Sequence, residues 1–141
     1  MSRSTPLPVN SVESLLSAIV TWASGQPDVV AVLLVGSHAR GTATETSDVD
    51  LVLLIDGPER YTEDPSWADQ FGAIERMQRE EWGVVTSLRV WYEGGPEVEY
   101  GFTAPEWAAQ PVDAGTRRVV TDGCRILFDP ESVLRTLLDV L

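Results

Sequence analysis

Residues 29–55, VVAVLLVGSHARGTATETSDVDLVLLI, contain two uninterrupted apolar runs joined by a polar segment. The runs Val29–Val35 and Val49–Ile55 are too short for typical helices, and their valine-rich composition is typical of strands covered on both faces. Only residues 36–48 separate them, which leaves little room for a parallel crossover connection. We therefore predict two neighbouring antiparallel strands.

Helices and further strands are predicted on both sides of this pair. An amphipathic helix runs from a capping box at Asn10 and Glu13 to Gly25, because apolar residues recur there at helical spacing. The remaining elements predicted are a helix from Asp64-Pro65 to Gly83, strands at Val84–Tyr92 and Glu97–Phe102, a short helix at Ala114–Thr121, a strand at Cys124–Phe128 and a C-terminal helix from Asp129-Pro130. Residues 1–9 are predicted to form a flexible arm, and residues 10–141 a single domain.

Composition limits the class of protein. The chain has 141 residues with 43% hydrophobic and 23% charged side chains, which is typical of one globular domain. Its longest apolar run, Val29–Val35, is far shorter than the roughly 20 residues needed to span a bilayer. The sequence also shows no basic and apolar leader segment at its start. One cysteine and one histidine exclude an internal disulfide and zinc sites built from several of these residues. We therefore expect a cytoplasmic protein.

Charge limits the partners. The formal net charge is -12, which repels phosphate backbones, so nonspecific nucleic-acid binding is not expected. All basic residues are arginine, which excludes lysine chemistry such as Schiff bases or a P-loop lysine. The acidity is read as a solubilising surface, or as carboxylates that converge to bind cations.

The polar segment between the two strands carries the chemistry. Side chains two apart on a strand point the same way, so Asp48 and Asp50 present two carboxylates on one face. Such a pair needs counter-charge, which a divalent cation supplies; Mg²⁺ prefers oxygen ligands. Gly36 permits close backbone approach, and Ser37 with nearby amides could receive phosphate oxygens if residues 38–40 form a helical turn. Alternatively, Asp48 and Asp50 bind no metal and only cap the loop at a solvent-exposed strand end.

These residues resemble the signature of the nucleotidyltransferase superfamily. Gly36-Ser37, followed after residues 38–47 by Asp48-x-Asp50, matches its pattern, and the flanks Gly-Ser-x-Ala-Arg-Gly and Ser-Asp-x-Asp-Leu look especially like its minimal nucleotidyltransferase (MNT) branch. The resemblance implies an α/β (α+β) fold with a mixed sheet flanked by helices. It also implies transfer of a nucleoside monophosphate, usually from ATP, to an acceptor hydroxyl with release of pyrophosphate.

The resemblance assigns roles to particular side chains. Gly36 and Ser37 would hold the outer phosphates of the donor, while Asp48 and Asp50 would bind two Mg²⁺ ions. We add Arg40 and Ser47 to the nucleotide-binding set, although Arg40 could equally form a structural pair with a nearby carboxylate.

A two-metal site also needs a third carboxylate to orient and help deprotonate the acceptor. Glu99 is the candidate, as metal ligand, base or both, because it resembles the isolated acidic residue that the family carries on a later strand. Aspartate is commoner there. Glu97 lies on the same face of the predicted strand and is the second choice. Both glutamates could instead form the solvated face of an antiparallel strand.

The acceptor is left open by these residues. Members of the family act on antibiotics, nucleic-acid ends or proteins, and the acidic surface would also suit a cationic, aminoglycoside-like acceptor. The chain has no room for an additional helical domain over the acceptor, so we expect a homodimer or, from the MNT resemblance, a helical HEPN-type partner for which this chain would be the antitoxin. The alternative function is a non-catalytic module that binds nucleotide or neutralises a partner.

The remaining reactive residue types receive structural interpretations. His38 is predicted to be a partly exposed loop residue, and Cys124 an inert core residue. The tryptophans at positions 22, 67, 82, 91 and 107 are interpreted as packing residues, with Trp91 the candidate for an adenine platform.

Overall fold

The computed structural model describes residues 11–109 and 111–141. The helices are α1 (Ser11–Ser24), α2 (Gly36–Arg40), α3 (Glu59–Glu63), α4 (Ala114–Thr121) and α5 (Val133–Asp139), with 3-10 helices at Pro65–Phe71 and Pro105–Ala108. The strands are β1 (Val29–Val35), β2 (Val49–Ile55), β3 (Ile74–Trp82), β4 (Val85–Tyr92), β5 (Glu97–Thr103) and β6 (Cys124–Phe128). No helix among these residues is long and apolar enough to cross a membrane.

The six strands form one mixed sheet in the order β3-β4-β5-β2-β1-β6. The predicted antiparallel pairing of β1 with β2 is confirmed, since Val35 pairs with Asp50 and Leu33 with Val52. The pairing of β2 with β5 is parallel, whereas all other neighbours are antiparallel. The predicted mixed sheet with flanking helices is therefore confirmed, and its two central strands run in the same direction.

Both faces of the central strands are covered, as their continuous apolar sequences predict. On one face, α1, α3 and the 3-10 helix Pro65–Phe71 pack on an aromatic cluster in which Trp67 contacts Tyr100 and Phe102 at ring-centroid distances of 4.8 and 5.4 Å. On the other face, Leu134 and Leu137 of α5 pack with Leu33 and Leu54. This second layer covers only part of its face, and the part over β5, β4 and β3 carries the site described below.

The predicted helix from Asp64 to Gly83 is wrong. Asp64 does cap a helix, because its side chain accepts a hydrogen bond from the backbone N–H of Ser66, but that 3-10 helix ends at Phe71. Gly72 follows with φ 154°, a backbone conformation that no helix contains. The segment Ile74–Trp82 then forms β3 against β4. Its Glu, Arg, Gln and Met residues favour helices, and pairing with β4 overrides that preference.

The other predicted elements lie close to their expected positions. Asp129 caps the last helix by accepting hydrogen bonds from the N–H groups of Leu134 and Arg135, so α5 begins at Val133 rather than next to Pro130. Helix α3 was not predicted. The predicted arm at residues 1–9 and Asn10 of the capping box lie outside the described residues, while Glu13 pairs with Arg125 at 3.0 Å.

Candidate active site

Three carboxylates from two separate stretches of sequence meet at one end of the central strands. Asp50 on β2 is the direct register partner of Glu99 on the parallel strand β5, and Asp48 lies two residues before Asp50 on the same side. Oxygen atoms of Asp48, Asp50 and Glu99 all lie within 4.8 Å of one another. The parallel pairing thus brings together side chains that the sequence separates by almost fifty positions.

The electrostatics of this acidic triad, Asp48, Asp50 and Glu99, are unfavourable without a cation. Burial, followed by the negative charges of Asp48 and Glu99, raises the pKa of Asp50 from 3.8 to about 7. A buried carboxylate beside two others resists ionisation unless positive charge is supplied. Three carboxylate oxygens that converge in this way form a donor set that Mg²⁺ accepts.

Gly36 is required where β1 turns into α2. Its φ of 74° lies in the left-handed region, and a Cβ atom at this position would overlap the Oδ2 atom of Asp50. A side chain here would therefore displace the central carboxylate. The same turn starts α2, so the predicted helical turn at residues 38–40 is present, and Ser37 directly follows the glycine that approaches Asp50.

Arg89 on β4 was missed by the sequence analysis and is the main cation of the site. Its guanidinium lies 3.0 Å from Asp48, 3.1 Å from Glu99, 2.6 Å from Glu97 and 3.4 Å from Glu80. Burial opposes its charge, but the hydrogen bond to Glu97 and the charge of Glu99 outweigh this effect and raise the pKa of Arg89 above its ordinary value. Only the cross-strand register, in which Arg89 faces Glu99, identifies it.

The second-choice carboxylate, Glu97, lies on the same side of β5 as Glu99. It binds Arg89, and it does not belong to the group of converging oxygens formed by the acidic triad. The structure therefore distinguishes the two glutamates by position, with Glu99 nearer to Asp50. The alternative interpretation, in which Glu97 and Glu99 form a freely solvated strand face, does not hold, because both are half-buried and paired with Arg89.

The other predicted nucleotide-binding residues lie around α2 and the following loop. Ser37 is half-buried in the first turn of α2. Ser47 closes the loop before β2, where its hydroxyl accepts a hydrogen bond from the N–H of Thr44 at 2.8 Å. Arg40 is exposed and pairs with Asp122 at 2.9 Å, which is the structural pairing considered as its alternative. Their roles toward a nucleotide stay predictions.

Two interpretations of single residues change. His38 lies within α2 rather than in a loop, and its buried Nε2 atom has no hydrogen-bond partner among the described residues. Trp82 is 58% exposed and is not a core residue. By contrast, Trp91 is half-buried beneath the guanidinium of Arg76, which lies 3.8 Å from the ring centroid and covers one face of the ring. Cys124 is half-buried, and burial raises the pKa of its thiol, in line with an inert residue.

A groove opens from the acidic triad across the uncovered part of the sheet, with a volume of about 610 Å³. Its floor is formed by Val52, Gly101 and Ser87, and its rim by the β3–β4 turn and α4. Gly101 is tightly packed, since a Cβ atom there would lie 3.1 Å from the carbonyl oxygen of Leu51 and 3.2 Å from Val85. The site therefore combines a carboxylate cluster with an adjoining cavity of ligand size.

Comparison with solved structures identifies the same fold in larger proteins. An aminoglycoside 6-adenyltransferase from Bacillus subtilis superposes with a TM-score of 0.54 and 19% sequence identity over 67% of this chain and 35% of that one. A cytoplasmic RNA terminal U-transferase gives a TM-score of 0.49 and 15% identity over 66% of this chain and 30% of that one. The chain thus spans about a third of the length of the proteins it matches.

Sequence comparison identifies the family. No curated protein matches the chain. The family model for streptomycin adenylyltransferase matches residues 9–93, more than half of the chain, and includes Gly36, Ser37, Asp48 and Asp50 but not Glu99. Together with the fold and the carboxylate geometry, this match means that the chain belongs to the streptomycin adenylyltransferase family, within the nucleotidyltransferase superfamily.

Proposed function

We propose that this chain transfers AMP from ATP to a hydroxyl group of an acceptor and releases pyrophosphate in an Mg²⁺-dependent reaction. The observation that carries the proposal is the convergence of Asp48, Asp50 and Glu99 within 4.8 Å, beside the glycine turn that starts α2. Family membership supports adenylyl transfer as the reaction type. The geometry adds the residues by which this chain would perform it.

The acidic triad fits two Mg²⁺ ions as its metal. All three donors are carboxylate oxygens, and the raised pKa of Asp50 marks a group that gains stability when a cation binds. Asp48, Asp50 and Glu99 would hold the ions. When bound, the ions would neutralise charge on the transferred phosphoryl group and on the leaving pyrophosphate.

The chain's own residues would then hold and orient the reactants. Gly36 and Ser37 would receive the outer phosphates, and Arg40 and Ser47 would be further nucleotide contacts. In the transfer, the bond between the α-phosphorus and the bridging oxygen breaks while the acceptor oxygen bonds to that phosphorus. Glu99, or Glu97 in its absence, would take the proton of the acceptor hydroxyl. Arg89 would keep both glutamates oriented through its ion pairs.

The acceptor and the partners belong to the same proposal. A small molecule or a protein could supply the hydroxyl, and a homodimer or a helical HEPN-type protein could complete the wall of the site. The MNT resemblance supports an antitoxin role in the second case. Co-expression with a helical protein encoded next to this chain, followed by mass spectrometry of the complex, tests for AMP on that partner.

Release of pyrophosphate from ATP tests the proposal directly. The purified chain would be incubated with γ-labelled ATP, Mg²⁺ and candidate acceptors, and the labelled pyrophosphate released would be compared with that from Asp50→Asn. We expect a loss of at least a thousandfold in the variant, since it removes a central metal ligand. The matched control is Asp56→Asn, the same chemical change at the exposed far end of β2, which should retain activity.

The opposite result would favour the non-catalytic module. If the wild-type chain binds MgATP or its partner but releases no pyrophosphate with any acceptor, and Asp50→Asn binds the partner equally well, transfer is not its function.

A further inference from the structure

The groove beside the acidic triad has one basic side chain among its described lining residues, Arg118 of α4. Arg118 is exposed and forms no ion pair with any residue that the structure describes. The other two arginines near the site are already engaged, Arg89 by four carboxylates and Arg40 by Asp122. Arg118 therefore keeps its side-chain donors available for a ligand in the groove.

The C-terminal end of α4 lies against α2, the helix that the Gly36 turn starts. Arg40 of α2 donates a hydrogen bond to Asp122 at 2.9 Å, and a Cβ atom at Gly123 would overlap the Cγ atom of Arg40. Arg118 precedes Asp122 by four residues, and its carbonyl oxygen accepts the N–H of Asp122, so the two side chains lie on the same face of α4. Arg118 is therefore one helical turn from the contact between the two helices.

The Gly36 turn lies between α4 and the acidic triad. Val35, which precedes the turn and lines the groove, pairs with Asp50 on one side and with Cys124 on the other. Cys124 begins β6 directly after the turn that follows α4. A ligand at the Gly36 turn therefore has the carboxylates on one side and the helix that carries Arg118 on the other.

The phosphates of a donor need positive charge at this turn. A triphosphate is strongly anionic, and here it meets a chain of net charge -12 and a groove lined by three carboxylates, which repel it. The guanidinium of an arginine binds phosphate oxygens through paired N–H donors. Arg118 supplies such a group from the side of the turn that faces away from the acidic triad.

We infer that Arg118 binds the outer phosphates of the donor and so makes the site prefer a nucleoside triphosphate to a monophosphate. The inference rests on the proposed function, which puts these phosphates at Gly36 and Ser37, and deepens it by naming a further donor-binding residue. Arg118 lies beyond residues 9–93, which the family model matches. Its role follows from the contacts of α4 with α2 and from the pairing of β6 with β1.

Calorimetric binding of α,β-methylene-ATP, a donor analogue that cannot transfer AMP, tests this assignment. The full chain in Mg²⁺ would be compared with Arg118→Gln and with Arg117→Gln, which changes an exposed neighbour on α4 that does not line the groove. Both variants alter the net charge equally. We expect Arg118→Gln to weaken binding at least tenfold and Arg117→Gln less than twofold. Arg118→Lys, which keeps the charge without the paired donors, should recover part of the loss.

AMP, which lacks the outer phosphates, supplies the second arm. The wild-type chain and Arg118→Gln should bind AMP equally, and urea unfolding should give them the same free energy of unfolding, because Arg118 is exposed and makes no ion pair with the described residues. The inference is overturned if Arg118→Gln loses as much affinity for AMP as for the analogue, if it matches Arg117→Gln, or if it is markedly destabilised. Such results with the analogue still bound by the wild type leave the proposed function standing. If the wild type binds no analogue, the proposed function fails as well.

Discussion

Replacing Asp50 by asparagine should stabilise the metal-free protein at neutral and alkaline pH. Burial and the neighbouring carboxylates raise the pKa of Asp50 from 3.8 to about 7. Between pH 3.8 and pH 7, the folded state therefore keeps a proton on Asp50 that the unfolded chain has already released. The free energy of unfolding therefore falls as pH rises through this window, and the full penalty is present above about pH 7. A pKa that is higher by roughly three in the folded state lowers the free energy of unfolding by at most about 4 kcal/mol. Because Asp50 is only half-buried and solvent screens part of the effect, we expect about 2 kcal/mol.

Urea unfolding in EDTA at pH 4 and at pH 8 measures this effect. At pH 4 the two proteins should differ little, since asparagine resembles a protonated aspartate in shape. At pH 8 Asp50→Asn should be more stable by about 2 kcal/mol, and Asp56→Asn should match the wild type at both pH values. An Asp50→Asn variant that is equal to or less stable than the wild type at pH 8 would refute the electrostatic argument. Added Mg²⁺ should stabilise the wild type and not the variant.

Three further predictions follow from the same geometry. Arg89→Gln should destabilise the metal-free fold by about 1–3 kcal/mol, because four carboxylates lose their cation. The same variant should bind Mn²⁺ about tenfold more tightly, as measured by calorimetry, and an unchanged Mn²⁺ affinity would contradict this prediction. Gly36→Ala should lower the free energy of unfolding by about 3 kcal/mol, because the new methyl group overlaps the Asp50 carboxylate. The control Gly41→Ala introduces the same backbone strain with no atom nearby and should cost about 1 kcal/mol. Equal losses would show that the contact with Asp50 is unimportant. Arg40→Ala should weaken MgATP binding about tenfold and Asp122→Asn should not; similar titration curves for both variants would leave Arg40 with only its structural pair.

The most local features of the fold were predictable. Continuous apolar runs identified β1 and β2, and the short connection between them identified their antiparallel pairing. The capping aspartates Asp64 and Asp129 were also recognised as helix starts. The segment Ile74–Trp82 was misassigned because an edge strand exposed on both sides has little apolar alternation, and its residues favour helices when considered alone.

The three carboxylates of the candidate site were predicted from the sequence, Glu99 through the family resemblance, but the cation beside them was not. Gly36, Ser37, Asp48 and Asp50 lie within a short stretch whose spacing is visible in the sequence. Arg89 carries no such signal, since an arginine on a strand is ordinary until its four carboxylate neighbours are known.

The amino-acid sequence by itself determined which residues form the central strands and that two aspartates share one face, because both follow from the period-two geometry of a strand. The tertiary structure decided that β5 lies parallel to β2, which brings Glu99 beside Asp50, and that the β3–β4 hairpin encloses a groove with Trp82 at its rim. These are pairings between distant segments, and they depend on how the whole sheet buries its apolar faces rather than on any local preference of the residues that meet.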